Sequence, residues 1–489
     1  MQHWRRSSIR SFLGYIFMIQ DPRDVLTDIF SASRTMTGEG NLPWGYRWRS
    51  SQSFIITTAT ISLFSECFLF GFIVPILPFM LERRLRLDPS HTQTFTTTLL
   101  TLYGLISLTS APFIAHFADK TPHRKFPLLL SLTACATGTI LVATSRTVWV
   151  LMVGQVLQSL ASASVWIVAM ATLVDNVDGK NKGKILGTAM SVVGTGVFAG
   201  PTISGTLLEL LGYWPAWSGA LLLLAVDFFL RVVMIDNWAS KASEADGGDD
   251  TNEQTRLLAE SSDAAIQPPE QEAEGDPSAR GFYRTMLSNP HILASLLNTL
   301  ALSLILASFD TTLPLHVRAI FNWGSLPVGL IFFGLQAPSI TLGPVIGRLR
   351  DRVGLRVPTT VGWAVMVPLL WAMAVPGEKF TWGKLVGNEG KGVYIGAVVG
   401  LGFAFALLRG AGTFQMMTVV HELEAEKPNI FGPYGGNSRL SGLTEVPFNI
   451  GMMLGPLISG SFSELVGYYW TSTVLGEFPS DIIWMISGC

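Results

Sequence analysis

Charge is scarce in this chain. Only 14% of its 489 residues are Asp, Glu, Lys or Arg, against roughly 25% in soluble globular domains. Mean hydropathy is +0.41 and 49% of residues are hydrophobic, which excludes an ordinary water-soluble globule. Cysteine is scarcer still. Cys67, Cys135 and Cys489 are odd in number and two lie in apolar stretches, so a disulfide framework is not indicated. No G-x-x-x-x-G-K-S/T occurs, and the nearest Gly/Lys stretch, Gly387–Gly392, does not fit it. This argues against ATP-driven transport by the chain alone. H-E-x-x-H, paired C-x-x-C and G-x-S-x-G are missing, and the seven histidines are scattered. The residues therefore give no case for an enzyme, a metal site or a cofactor.

What the chain has is long apolar runs. They fall near 52–81, 93–118, 126–144, 148–174, 185–211 and 215–235, then near 290–314, 326–347, 357–376, 392–420 and 440–466. A helix crosses a hydrocarbon core of roughly 30 Å in about 20 residues, whereas a strand needs only about ten. The runs predict eleven membrane helices and an all-α polytopic protein. The stretch 468–489 is a poor twelfth span because it holds Glu477, Pro479 and Asp481.

The remaining charge is unevenly placed. Residues 241–280 hold eleven acids and three bases, a net of −8, which leaves +6 elsewhere against an overall −2. A basic membrane body with one acidic insert does not suggest nucleic-acid binding. With the N-terminus inside, the inner segments carry 22 Lys and Arg and the outer loops 8. That bias predicts a cytoplasmic N-terminus. Four regions are expected: an arm over 1–50, a helix bundle over 51–236 (spans 1–6), an acidic disordered cytoplasmic linker over 237–288, and a second bundle over 289–489 (spans 7–11 plus a weak span 12). Arg5, Arg6 and Arg10 before Phe12–Ile19 superficially resemble a signal peptide. The run is only about eight residues with no small-residue cleavage site, so a cytoplasmic arm is preferred. The linker composition cannot bury enough apolar surface to order itself. Inside it, Glu253-x-x-x-Leu257-Leu258 fits an acidic dileucine sorting signal, a pattern that also arises by chance.

The two halves repeat. Residues 200–214, GPTISGTLLELLGYW, match residues 455–469, GPLISGSFSELVGYY, at nine of fifteen positions with an offset of 255. Asp119-Lys120 after span 2 corresponds to Asp351-Arg352 after span 8. Repeated halves around a midplane site are the usual plan of secondary carriers. After span 8 stands Gly347-x-x-x-Asp351-Arg352-x-Gly354-x-Arg356, and after span 2 Ala115-x-x-x-Asp119-Lys120-x-Pro122-His123-Arg124-Lys125. A carboxylate at a helix end, followed by a tight turn and cations, can latch a helix interface that opens and closes. On these motifs the chain resembles the major facilitator superfamily. The second copy matches well, while the first replaces both glycines with Ala115 and Pro122. The resemblance implies two pseudo-symmetric six-helix bundles. It also implies a full twelfth helix, from which TSTVLGEFPSDIIWMISGC departs: either span 12 is shortened or the gene model errs at its 3′ end.

Span 5 carries Gly187-x8-Gly196-x3-Gly200-Pro201-x2-Ser204-Gly205. Glycines at helical spacing let backbones approach, and Pro201 permits a bend. The pattern resembles the span-5 motif of proton-coupled antiporters, with Ser204 in place of a glycine; close packing without coupling is the other reading.

Three carboxylates lie inside apolar runs: Glu66 in span 1, Asp310 in span 7 and Glu445 in span 11. A charge at mid-bilayer costs about 2.5–3.5 kcal/mol on insertion scales, so each should face a cavity or a partner. These local patterns look like those of vesicular amine transporters and related twelve-span drug:proton antiporters, including fungal efflux carriers. The resemblance implies substrate or proton binding at Glu66, Asp310 and Glu445. Two positions depart from it. Span 10 has Arg409 after Gly402-Phe403-Ala404 where the amine transporters carry an acid, and span 4 has Gln155 where proton-coupled relatives place an arginine. Arg409 could replace the missing span-4 cation, bind an anionic or carbonyl group of the substrate, or pair with Glu445 or Asp310. Asp227 and Arg231, four apart in span 6, read as a structural ion pair. Phe198 and Trp166 are candidates to line a hydrophobic cavity.

The expectation is a monomeric multi-pass carrier in a plasma, vacuolar or vesicular membrane. It would export amphipathic organic molecules (drugs, amines or secondary metabolites) in exchange for protons. The alternatives are a proton-coupled importer of a specific solute and a degenerate, non-transporting membrane sensor.

Overall fold

The computed structural model describes residues 45–120, 125–177, 182–235, 284, 286–376, 390–426 and 437–477. Most of the expected arm, the acidic linker with its dileucine, and everything after Glu477 lie outside the described residues. So do Arg124, the side chains of Asp119, Lys120 and Asp351, and the surroundings of Gly187. Met1–Arg49 forms a unit of its own, whose described part is a one-turn helix over Tyr46–Arg49.

The body, Ser50–Cys489, is built of helices joined by short connections among its described residues. Its first six helices are α1 (Gln52–Phe79), α2 (Thr92–Lys120), α3 (Lys125–Thr144), α4 (Val148–Asp175), α5 (Lys182–Leu210) and α6 (Tyr213–Val233). The following helices are α7 (Pro290–Phe321), α8 (Ser325–Thr341), α9 (Gly343–Val353), α10 (Arg356–Ala374), α11 (Lys391–Leu408), α12 (Ala411–Glu426) and α13 (Asn437–Val466). Residues 468–477 are helical too. Among the described residues, nine helices are long and apolar enough to cross a membrane. The expected eleven spans are reached differently. Helix α8 is only 17 residues long, and α13, at 30 residues, is interrupted by Glu445 and other polar groups.

Two runs expected to be single helices are broken. Residues 326–347 divide at Leu342, because Pro344 lies at the start of α9 and cannot donate to a preceding turn. Residues 392–420 divide at Arg409–Gly410. Arg409 is extended (ψ 133°), and Gly410 adopts φ +73°, which favours glycine. Composition is apolar on both sides of each break, so hydropathy alone does not reveal them.

The sequence repeat is a repeat of contacts. Helix α1 packs against α5, and α7 against α13. A Cβ at Gly196 would stand 2.6 Å from the Phe64 carbonyl oxygen, and one at Gly451, 255 residues later, 2.6 Å from that of Leu300. Gly200 abuts the Phe68 carbonyl in the same way that Gly455 abuts that of Leu304. Two further pairs join the first six helices to the rest: α5 with α8, and α2 with α13. There Gly205 rests on the Ser325 carbonyl and Gly460 on the Thr97 hydroxyl. With no hydrophobic gain between helices in lipid, such backbone approach maximises van der Waals contact.

Asp227 and Arg231 are both fully buried and are joined through α1. Ser62 Oγ donates to Asp227 Oδ1 and accepts from Arg231 Nε at 3.0 Å. The expected pair is thus bridged by a hydroxyl of the neighbouring helix.

Candidate functional site

Helices α1, α2, α4 and α5 on one side and α7, α8, α11–α12 and α13 on the other enclose a cavity of about 170 Å³. Glu66, Asp310, Glu445 and Arg409 all line it, so residues up to 379 positions apart in sequence converge on one space. Phe70, Trp166, Phe332, Phe448 and Met452 supply apolar wall. An amphipathic molecule could bury its body against these rings while its polar head meets the charged groups.

Each carboxylate has a different environment. Glu66 is 6% exposed. Its Oε1 accepts from the Tyr103 hydroxyl at 3.3 Å, and Tyr103 in turn shares a hydrogen bond of 2.5 Å with Ser162. Glu445 Oε1 accepts from Trp166 Nε1 at 2.7 Å, a bond that crosses from α13 to α4. Asp310 has neither a hydrogen bond nor an ion pair among the described residues. A buried carboxyl can hold a proton or a charge, and the presence or absence of donors decides how much each state costs. This site therefore offers three unequal places for a proton.

Arg409 owes its position to the break between α11 and α12. The Nη2 of Arg350, on α9, donates to Leu407 O at 2.7 Å and to Arg409 O at 2.9 Å. These are carbonyls that the end of α11 leaves without intrahelical partners. The Arg409 guanidinium itself makes no hydrogen bond or ion pair among the described residues, so of its three readings the pairing with Glu445 or Asp310 is not found.

Other predicted residues are not brought to the cavity. Gln155 is 2% exposed with an unpartnered Oε1, and it lies away from the lining. Gln336 of α8, which the sequence reading missed, lines the cavity with a buried Oε1 that has no partner. Tyr103, Cys67 and Asn449 were missed as well; of these only Asn449, four residues after Glu445 and so on the same helix face, carried a sequence signal. Trp166 lines the cavity as expected, whereas Phe198 packs edge-on against Phe333 at 5.8 Å between α5 and α8. Of the gating candidates, Gly354 ends α9 at φ +82°, as the tight turn requires, and Gly347 faces open space. Arg352 and Arg356 are exposed. Lys125 Nζ donates to Val232 O and Met234 O at the end of α6, within the first six helices.

The face carrying the 1–2 and 7–8 connections is tied shut. Arg318 Nη2 meets Glu82 Oε2 at 2.5 Å, and Thr92 Oγ1 donates to Glu82 Oε1 at 3.2 Å. Glu209 Oε2 accepts from Leu326 N at 2.7 Å, and Thr94 Oγ1 donates to Glu464 Oε1 at 2.5 Å. In the 1–2 connection Asp88 accepts from Ser90 N and Oγ, which holds its carboxyl below the usual range.

The Major Facilitator Superfamily model matches residues 59–426. An uncharacterized MFS-type transporter of Schizosaccharomyces pombe is 30% identical over 450 residues, covering 90% of this chain and 96% of that protein. A class D tetracycline resistance protein of Salmonella ordonez is 25% identical over 71% of this chain and 81% of its own length. The bovine synaptic vesicular amine transporter is 19% identical over 76% of this chain and 61% of its own length. Among solved structures, the human organic anion transporter MFSD10 superposes with a TM-score of 0.60 at 16% identity, over 89% of this chain and 99% of that one; this likeness shows the fold. The chain belongs to the Major Facilitator Superfamily and is an all-helical, multi-pass secondary transporter rather than an enzyme.

Proposed function

We propose that the protein is a proton-coupled exporter of amphipathic organic molecules that works by alternating access. The observation that carries this reading is the convergence of Glu66, Asp310 and Glu445 on one aromatic-walled cavity between two sets of helices. In the cycle, substrate leaves as protons occupy the carboxylates, and the protons are then released on the opposite side. A proton moving down one pH unit supplies about 1.4 kcal/mol, enough to sustain a roughly tenfold gradient of a neutral substrate exchanged one for one.

Several finer points belong to the same proposal. The N-terminus is cytoplasmic, in keeping with the Lys/Arg bias. The two bundles span 51–236 and 289–489, linked by the acidic segment 237–288, and the carrier works as a monomer in a plasma, vacuolar or vesicular membrane. The loop motif ending in Gly354 and Arg356 acts on the inner gate, and the span-5 glycines hold α1 against α5 through the cycle. Efflux is supported by the likeness to two distant relatives, a tetracycline resistance protein and a vesicular amine transporter.

The test is transport in reconstituted vesicles under an imposed pH gradient, comparing wild type with Glu66→Gln and Glu445→Gln. Gradient-driven movement of an amphipathic probe that both substitutions abolish is the expected result. Movement that neither substitution alters would sink the site assignment while leaving the carrier.

A further inference from the structure

Arg409 is a charged side chain that the chain goes to some length to place. Helix α11 stops at Leu408, Arg409 turns extended, and Gly410 restarts the chain into α12 with a positive φ. Two freed carbonyls, one of them Arg409's own, are taken up by Arg350. A second guanidinium is therefore spent on holding the backbone of the first. The Arg409 side chain then lines the central cavity. It extends toward α5, where a Cβ added to Gly194 would lie 4.0 Å from its Nη1.

Among the described residues no group neutralises it. Glu66 is occupied with Tyr103 and Glu445 with Trp166, and no cavity carboxylate comes within 4 Å of the Arg409 nitrogens among the described residues. An unpaired guanidinium removed from water is costly to hold. It also presents a planar fork of donors that matches an oxyanion in bidentate fashion. A neutral ester offers that fork only weak acceptors, and an ammonium group is repelled by it.

Resting on the transporter reading above and narrowing it, we propose that Arg409 is the recognition point for an oxyanion, so that the substrates are amphipathic organic acids. The carboxylate of the substrate sits on Arg409. Its apolar body lies against Phe70, Trp166, Phe332 and Phe448. Asp310, which has no hydrogen bond or ion pair among the described residues, is left to carry the exchanged proton.

The experiment uses the purified full-length protein and three probes with one body and different heads: 2-naphthylacetate, its methyl ester and 2-naphthylethylamine. Binding is measured by calorimetry, and uptake into vesicles is measured in parallel under a pH gradient. Wild type is expected to bind the acid at least tenfold more tightly than the ester or the amine, a comparison that needs no variant to fold. Arg409→Gln should remove that preference without weakening ester binding, and Arg409→Lys should restore part of it. Equal binding of all three probes, binding of none, or a preference that survives Arg409→Gln in protein of unchanged melting temperature would overturn the proposal. The two readings fail separately. Acid-selective binding without gradient-driven uptake keeps the oxyanion site and removes proton-coupled export. Gradient-driven uptake of the amine, without any preference for the acid, does the reverse.

Discussion

Glu209 and Glu464 perform the same task in the two halves of the sequence repeat. They occupy equivalent places in the repeat, 255 residues apart. Each ends on the first turn of a helix across the central seam. Glu209 takes the Leu326 N–H of α8, and Glu464 takes the Thr94 hydroxyl of α2. A carboxylate is favoured at a helix start, where backbone N–H groups are unpaired and the dipole is positive. Together with Arg318 and Glu82 they close one face of the cavity.

Glu209→Gln and Glu464→Gln should therefore loosen that face without unfolding the protein. Each loses about 1 kcal/mol, or roughly fivefold in the opening equilibrium. Cys67 is a natural reporter, because it lines the cavity while Cys135 is buried. In a Cys489→Ser background, a membrane-impermeant maleimide applied from that face should label Cys67 several-fold faster in either variant. Unchanged labelling would mean that the glycine contacts alone keep the face shut.

Gly200→Ala and Gly455→Ala should destabilise the protein, because the added methyl meets the carbonyl oxygens of Phe68 and Leu304 rather than a movable side chain. Overpacking of this kind costs about 1–3 kcal/mol. Gly347→Ala adds its methyl to open space and serves as the control. Melting temperatures in one detergent should fall for the first two and hold for the third.

Trp166→Phe and Glu445→Gln remove the two ends of one hydrogen bond. Their effects on transport should be strongly non-additive, with a coupling of about 1.5–3 kcal/mol as expected for a bond to a charged acceptor. Additive losses in the double variant would show that Trp166 acts only as cavity wall.

Arg231→Ala strands Asp227 and Ser62 in a fully buried setting. Breaking one partner of a buried charged group costs about 3–5 kcal/mol. Asp227→Leu together with Arg231→Leu should recover much of that loss in a thermal melt. A double variant less stable than Arg231→Ala would instead make the charges net stabilisers of the fold.

Much of this was legible before the structure. Runs of apolar residues showed the helices, and the GP-x-I-S-G repeat showed the two-fold plan, because both are periodic along the chain. The acids could be foreseen at a common site, since an isolated carboxylate at that depth needs a cavity. Their partners could not. Tyr103 and Trp166 look like any aromatics of an apolar helix, and only the rotation of α2 and α4 points them at Glu66 and Glu445. Gln155 misled for the same reason: its helix contributes to the cavity through Ser162, Ala163, Trp166 and Ile167, and position 155 is nearly two turns short of them. The break at Arg409 was hidden because the residues before and after it are equally apolar, and one glycine among 48 is no signal.

Arg350 belongs to α9, one residue before Asp351 of the loop motif, yet its guanidinium ends on the carbonyl of Arg409. A single side chain thus has one end beside the loop proposed above as a gate and the other at the backbone of a cavity residue. No displacement of α9 past α11 can leave both undisturbed. Linkage makes the relation reciprocal: to whatever extent this grip improves the fit of a ligand at Arg409, an occupied Arg409 tightens the grip by the same factor. Cargo and gate would then report on each other through two hydrogen bonds.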